Sequence, residues 1–408
     1  MSTIKNNLEQ FLQNRAPYLH LLLTAAFLVL FIADSRAQFG YNKIDDDPLT
    51  EFQVVDFFSR PHFNRVEGVV LQGGAFVRHQ KFWPVITTIQ GAYGIKYRNW
   101  QYDLAMQHWF TFTNQDFLFK ADYFRETTTR DNWKIGRFEN SVAGVLLRED
   151  FYNYYTREGW KVLCENRIFG VHHSRIEYAE YDYISMPVNT NFAGTLYVGN
   201  KKFRPNPAIV EGRERSVRFM FLVDSRDNLF FPSRGVYFEG IVEKTMGDFH
   251  TAGFFLTSAH YIPTFRKQKL VLNAQAGFRQ GSLAPQHLLS IGGIGTLCAY
   301  PEFYRTGQNL VYARITWDFA GELSRILPLE RIPTGEAASV AIFVECGDAW
   351  HSQNVKRSLF EGLNTHDILT DAGLSLILAD GIFRIDFARQ ILHDQDDWRI
   401  TLRFLTKV

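Results

Sequence analysis

Trp398-Arg399-Ile400-Thr401-Leu402-Arg403-Phe404 is the stretch that decides the fold. Trp398, Ile400, Leu402 and Phe404 alternate with Arg399, Thr401 and Arg403, so an extended chain here has one apolar face and one carrying two arginines. An arginine facing lipid at mid-depth costs about 2–4 kcal/mol, which turns the arginines toward a lumen. The pattern recurs upstream. Val311, Ala313, Ile315, Trp317 and Phe319 alternate with Tyr312, Arg314, Thr316 and Asp318, and Phe383, Ile385 and Phe387 oppose Arg384 and Asp386. Segments 217–224, 236–243 and 269–279 put Arg218, Asp224, Glu239, Glu243, Lys269 and Arg279 on one side.

A soluble sandwich alternates as well. The balance is tipped by the number of such segments, by lengths near the ~9–11 residues of a tilted membrane strand, and by charge kept to one face. Strands are expected near 64–78, 84–98, 100–112, 115–125, 159–169, 171–184, 191–199, 214–226, 234–246, 250–263, 267–280, 309–320, 338–350, 367–379, 381–391 and 397–407. After Ala33 no run approaches the ~18 apolar residues of a membrane helix. Strands in lipid must close on themselves to satisfy their amides. The expected fold is therefore all-β, a transmembrane antiparallel β-barrel of about sixteen strands.

The amino terminus reads as an export signal. Lys5 and Arg15 precede the apolar run Leu19–Ala33, and small residues at Ser35 and Ala37 fit cleavage near Ala37. The expected organisation is a signal peptide over 1–37, a periplasmic tether or plug over 38–63 and the barrel over 64–408. Two interruptions are expected between strands. Residues 139–158 carry Val142, Val145, Leu146 and Leu147 at helical spacing and lead to Gly159, suggesting a short helix. Residues 185–212, with Pro187, Pro205 and Pro207, read as a long loop.

The formal charge is +1, from 44 basic and 43 acidic residues, which gives no global field for nucleic acid. Three cysteines, Cys164, Cys298 and Cys346, fit neither a disulfide framework nor a zinc site. Parity turns Cys346 to lipid and so separates it from a lumenal Cys298. The sequence has no nucleophile elbow, no His-Glu-x-x-His and no phosphate loop. Adjacent His172 and His173 point to opposite faces of a strand. No catalytic residue, metal site or cofactor is expected, and the chain does not read as an enzyme.

The carboxyl-terminal motifs resemble the bacterial surface antigen family, the barrel of outer-membrane assembly factors of the BamA and TamA type. Four patterns over residues 214–408 carry the resemblance. They are Asp224-Ser225-Arg226-Asp227 with Phe231-Pro232-Ser233-Arg234-Gly235; Gly292-Gly293-Ile294-Gly295-Thr296-Leu297-Cys298-Ala299-Tyr300-Pro301-Glu302; Phe343-Val344-Glu345-Cys346-Gly347-Asp348-Ala349-Trp350; and Ala372-Gly373 with Gly381 to Ala388 and the closing strand. Phe63 to Gly68 and the segment 139–155 match short barrels of the superfamily more loosely. The resemblance implies that Gly292, Gly293, Gly295, Leu297, Cys298, Ala299 and Tyr300 belong to a loop folded back into the lumen. In the family an Arg-Gly pair in this loop meets a carboxylate on the barrel wall. Here those positions are Cys298 and Ala299, while Glu345 keeps the wall carboxylate. Arg305, Arg314 and Arg384 are candidate substitutes, with Asp386 beside them on the lumen face.

The family's repeated periplasmic POTRA domains have no counterpart in this sequence. The leading expectation is a subunit or accessory in outer-membrane protein assembly or biogenesis, set in the outer membrane of a Gram-negative bacterium. Its partners would be outer-membrane lipid and an outer-membrane assembly complex or other barrel proteins. The alternative is a passive pore or structural scaffold. The assembly reading implies a weak seam between first and last strands, with Gly68, Gly73 and Gly74 on one side and Ile400, Leu402 and Phe404 on the other. Glycines in a barrel strand also serve curvature alone.

Overall fold

The computed structural model describes residues 52–79, 85–187, 190, 201–229, 231–281, 284–319, 338–352, 362–378, 382–391 and 398–404. The strands are β1 (Phe52–Ser59), β2 (His62–Asn64), β3 (Gly68–His79), β4 (Val85–Gly94), β5 (Asn99–Thr111) and β6 (Gln115–Thr128). Helix α1 (Arg137–Leu147) follows, then β7 (Tyr155–Ile168), β8 (His172–Ser185), β9 (Gly212–Asp224), β10 (Gly235–Gly247), β11 (Thr251–Pro263) and β12 (Lys269–Gly281). The chain continues with β13 (Leu289–Ile291), β14 (Arg305–Gly307), β15 (Asn309–Asp318), β16 (Ser339–Trp350), β17 (Leu369–Leu378), β18 (Phe383–Gln390) and β19 (Arg399–Phe404).

All but β13 and β14 join one 17-stranded sheet. Every ladder is antiparallel and joins sequence neighbours, apart from β1 with β3 and the step from β12 to β15 across the β13–β14 hairpin. β1 and β2 both pair with the same side of β3, so they act as one strand broken near Pro61, and the meander has sixteen positions among the described residues.

Alternation sets inside and outside as the sequence implied. Ile342 and Val344 are exposed while Ala341, Phe343 and Glu345 are buried. Val217, Phe219, Ile315, Trp317, Ile400 and Leu402 also lie on the outer face, and Glu243, Arg279, Asp386 and Arg403 lie inside. An interior this rich in charge, under a shell of exposed aliphatic and aromatic side chains, is the inverse of a water-soluble core and matches a barrel in lipid. Among the described residues no helix is long and apolar enough to cross a membrane.

Several boundaries differ from the sequence reading. The segment expected to be a tether enters the sheet at Phe52. β3 is consequently the second position, hydrogen-bonded on both sides, and Gly68, Gly73 and Gly74 do not lie on a free edge. The edge strand they were expected to form is β1–β2. The helix occupies 137–147 and ends at Arg148, whose φ of 54° is left-handed, while Gly159 lies inside β7. The signal peptide and the strand expected at 191–199 lie outside the described residues.

Candidate functional site: the docked inward loop and the seam

The loop between β13 and β14 is built to turn tightly. Gly293 and Gly295 both have φ of +84°, a region that side chains with a Cβ rarely adopt. A Cβ on Gly293 would fall 2.0 Å from the Glu302 carboxyl group, and one on Gly295 would fall 2.2 Å from the Lys134 carbonyl. Gly292 shares the left-handed conformation. Leu297 and Tyr300 are fully buried, packed with Ile291, Leu310, Phe343 and Leu369 beneath the barrel wall.

Sheet register prepares the surface on which this loop sits. Arg314, Glu345, Asp371 and Gln390 are directly paired across β15, β16, β17 and β18, and alternation points all four inward. The Cys298 N–H donates to Glu345 Oε2 at 2.9 Å, and the Ala299 N–H donates to Asp371 Oδ2 at 2.7 Å. Gln390 Nε2 donates to the Ala299 carbonyl at 3.1 Å. The Tyr300 hydroxyl lies 3.3 Å from the Thr370 carbonyl. The loop tip is therefore held by its backbone, which explains how residues as small as Cys298 and Ala299 can occupy it.

The guanidinium beside Glu345 comes from the wall. Arg314 Nη1 lies 2.8 Å from Glu345 Oε1 and Nη2 lies 3.5 Å from Asp386 Oδ1. Its guanidinium stacks 3.9 Å from the Phe343 ring centroid. Tyr312 donates its hydroxyl to Glu345 at 2.7 Å, and Ser375 donates to Asp386 at 2.5 Å. Cys298 Sγ fills the space beside this pair, 3.8 Å from both Arg314 Nη1 and Asp386 Oδ2. Burial and the neighbouring carboxylates Glu345 and Asp386 push the Cys298 thiol well above its usual value, so it is held as a neutral thiol.

The other two candidate arginines have different partners. Arg305 pairs with Asp348 at 2.7 Å and is partly exposed, and Arg384 pairs with Asp386 at 3.0 Å. Asp371, Tyr312, Ser375 and Gln390 were not singled out from sequence. For Asp371 and Ser375 the signal was present in the lumen parity of Leu369, Asp371, Gly373 and Ser375.

A second group joins the two ends of the meander. Among the described residues no backbone ladder connects β19 with β1 or β2. Helix α1 reaches both instead. Glu139 Oε1 accepts the Phe404 N–H at 2.8 Å and Arg403 Nε at 2.8 Å. Two residues on, the Ser141 hydroxyl donates to the Phe63 carbonyl at 2.9 Å and accepts the Phe63 N–H at 3.3 Å. Gly144 lets the Phe63 ring lie against the helix, where a Cβ would sit 2.8 Å from it. Ile400 and Leu402 face outward beside this seam, and Phe404 packs on Phe383 at 4.3 Å.

Elsewhere the lumen holds further charge. Glu243 is ringed by Arg218, Arg279 and Arg130 at 2.7, 2.5 and 3.6 Å. A cavity of about 350 Å³ opens beside it, lined by Arg130, Trp133, Arg157, Arg218, Glu243 and Gln275. Among the described residues no cluster of His, Cys, Asp and Glu is arranged to hold a metal ion.

The sequence over residues 88–405 matches the model of the Omp85 superfamily domain. The chain belongs to the Omp85 superfamily. No curated protein matches it. Among solved structures, this Omp85 chain resembles BamA from Haemophilus ducreyi lacking POTRA domains 1–3, with a TM-score of 0.51 and 11% identity, over 87% of this chain and 69% of that one. It is also similar to CdiB from Acinetobacter baumannii, with a TM-score of 0.40 and 11% identity, over 87% of this chain and 59% of that one. The chain thus spans less than two thirds of that CdiB. The fold is a BamA-like Omp85 barrel, and its setting is the bacterial outer membrane.

Proposed function

We propose that this Omp85 barrel acts in the assembly or biogenesis of outer-membrane proteins in a Gram-negative bacterium, as a subunit or accessory, after removal of a signal peptide near Ala37. The observation that carries this reading is the seam. Among the described residues β19 pairs on one side only, and its edge amide at Phe404 is met by a side chain of α1 rather than by the first strand. A passive pore gains from a continuous ladder around its wall, because edges unsatisfied by backbone are costly in lipid. A barrel that handles other strands gains from a seam held by side chains. The role proposed is binding and assembly rather than catalysis.

The test is depletion of the protein combined with a survey of outer-membrane protein levels, and affinity isolation of the tagged barrel from solubilised membranes. A general fall in barrel proteins, with other barrels or an assembly complex co-isolated, supports the reading. Unchanged outer-membrane composition and a protein recovered alone overturn it in favour of a pore or scaffold.

A further inference from the structure

The seam contacts of α1 connect with the docked loop through one short segment. Lys134 and Ile135 lie just ahead of the helix. The Lys134 carbonyl faces Gly295 closely enough to exclude a Cβ there, and it also accepts from Arg403 Nη2 at 3.4 Å. Lys134 Nζ donates to Ser290 of β13 at 2.7 Å. Ile135 is fully buried with Ile294 of the loop and with Val66, Tyr152 and Met186. The same few residues therefore touch the loop tip, the last strand and the turn after the first strand.

We propose that α1 is a latch across the barrel seam and that docking of the inward loop holds it closed. The inference rests on the assembly reading for its purpose, since it assigns the regulation of that same seam. Its geometry stands independently. Glu139 and Ser141 occupy the positions at which edge backbone groups of β19 and β2 are satisfied, so the helix substitutes side-chain acceptors and a donor for a missing ladder. Withdrawal of the loop removes the Gly295, Ile294 and Ser290 contacts of the segment that leads into the helix. Loop release thus frees the latch, and latch release removes the Glu139 contact of Phe404 and the Ser141 contact of Phe63 together.

Two features of the helix fit a latch better than a permanent staple. It is only 11 residues long, too short to be stable without its tertiary contacts. Its amino-terminal cap, Gly136, makes no side-chain capping bond, so the first turn relies on its neighbours.

The experiment is amide hydrogen exchange by mass spectrometry on the full barrel in lipid nanodiscs, with folding checked by gel mobility before heating. In the double variant Glu139→Ala/Ser141→Ala, exchange at Phe63 and Phe404 should rise roughly tenfold or more, because each loses its acceptor, while β11 and β12 stay protected. In Gly293→Ala, whose Cβ would meet the Glu302 carboxyl group inside the loop itself, the same two amides should accelerate together. Unchanged exchange in the double variant, or a uniform rise over the whole barrel, overturns the latch. Exchange unchanged in Gly293→Ala, in a protein whose Cys298 has become reactive, overturns the coupling. These outcomes are read on isolated protein, so they are separable from the depletion result: a responsive latch with no effect of depletion refutes the assembly role alone.

Discussion

Replacing Arg314 with methionine removes the only guanidinium among the described residues that touches both Glu345 and Asp386, and it does so with little change in volume. Both carboxylates are fully buried and Arg314 is 5% exposed. Breaking a buried pair from one side costs about 3–5 kcal/mol, because a charge is left without compensation. Here the lower end applies. Glu345 keeps the Tyr312 hydroxyl and the Cys298 N–H, and Asp386 keeps Ser375 and Arg384. The matched control is Arg305→Ala, which breaks a partly exposed pair with Asp348 and should cost at most about 1 kcal/mol. The difference of at least ~2 kcal/mol corresponds to about a thirtyfold change in the folding equilibrium. Arg314→Lys should fall between them, since a point charge cannot span both carboxylates. Urea unfolding of the barrel in lipid vesicles, followed by tryptophan fluorescence and by gel mobility, measures all three. If Arg314→Met proves no less stable than Arg305→Ala, the wall arginine is not what neutralises the docking site.

Other expectations follow from the same geometry. Burial raises the Glu302 carboxyl to about 7, against a smaller opposing pull from the Ile294 N–H and from Lys134 and Arg204. Its contribution to loop docking is thus full below its ordinary 4.5 and is lost as pH rises through about 7. Glu302→Gln should flatten the rise in limited proteolysis of the loop over that window, and an unchanged slope would remove Glu302 from the account. Gly295→Ala should undock the loop, seen as faster cleavage between β13 and β14, because the new Cβ meets the Lys134 carbonyl at 2.2 Å. Trp160, Trp317 and Trp398 are exposed on the outer face, so brominated lipid should quench them and leave buried Trp350 unquenched. Equal quenching of all four, measured in single-tryptophan variants, would contradict the assignment of faces.

The strands from β9 to β12 and from β15 to β19 were legible because lipid on one side and a charged lumen on the other force a period of two, as in Phe343 and Glu345 against Ile342 and Val344. The first strand was not. Pro61 breaks it, and an irregularity between Val54 and Asp56 shifts its register, so alternation never runs long enough to be seen. That omission displaced the seam by one strand and drew Gly68, Gly73 and Gly74 into it. The helix was visible in the spacing of Val142, Val145 and Leu146, but it ends on left-handed Arg148, where no glycine marks the stop. The docking loop was legible from its glycines and its resemblance to a family. The choice among Arg305, Arg314 and Arg384 was not, because it depends on the row that pairs Arg314 with Glu345 and Asp371 across three strands. Glu139 and Ser141 lay in the segment 139–155 that matched the family loosely, but their seam contacts carried no signal, since the partners lie 265 and 78 residues away.

Docking of the inward loop against the barrel wall, beside a wall arginine, is read out by the reactivity of Cys298 in a Cys164→Ser/Cys346→Ser variant folded in lipid. Cys298 is 2% exposed and enclosed by Arg314, Asp386 and Glu345, so a water-soluble maleimide should react only once the barrel is unfolded in urea. Labelling of the folded barrel at the rate of the unfolded chain would contradict docking.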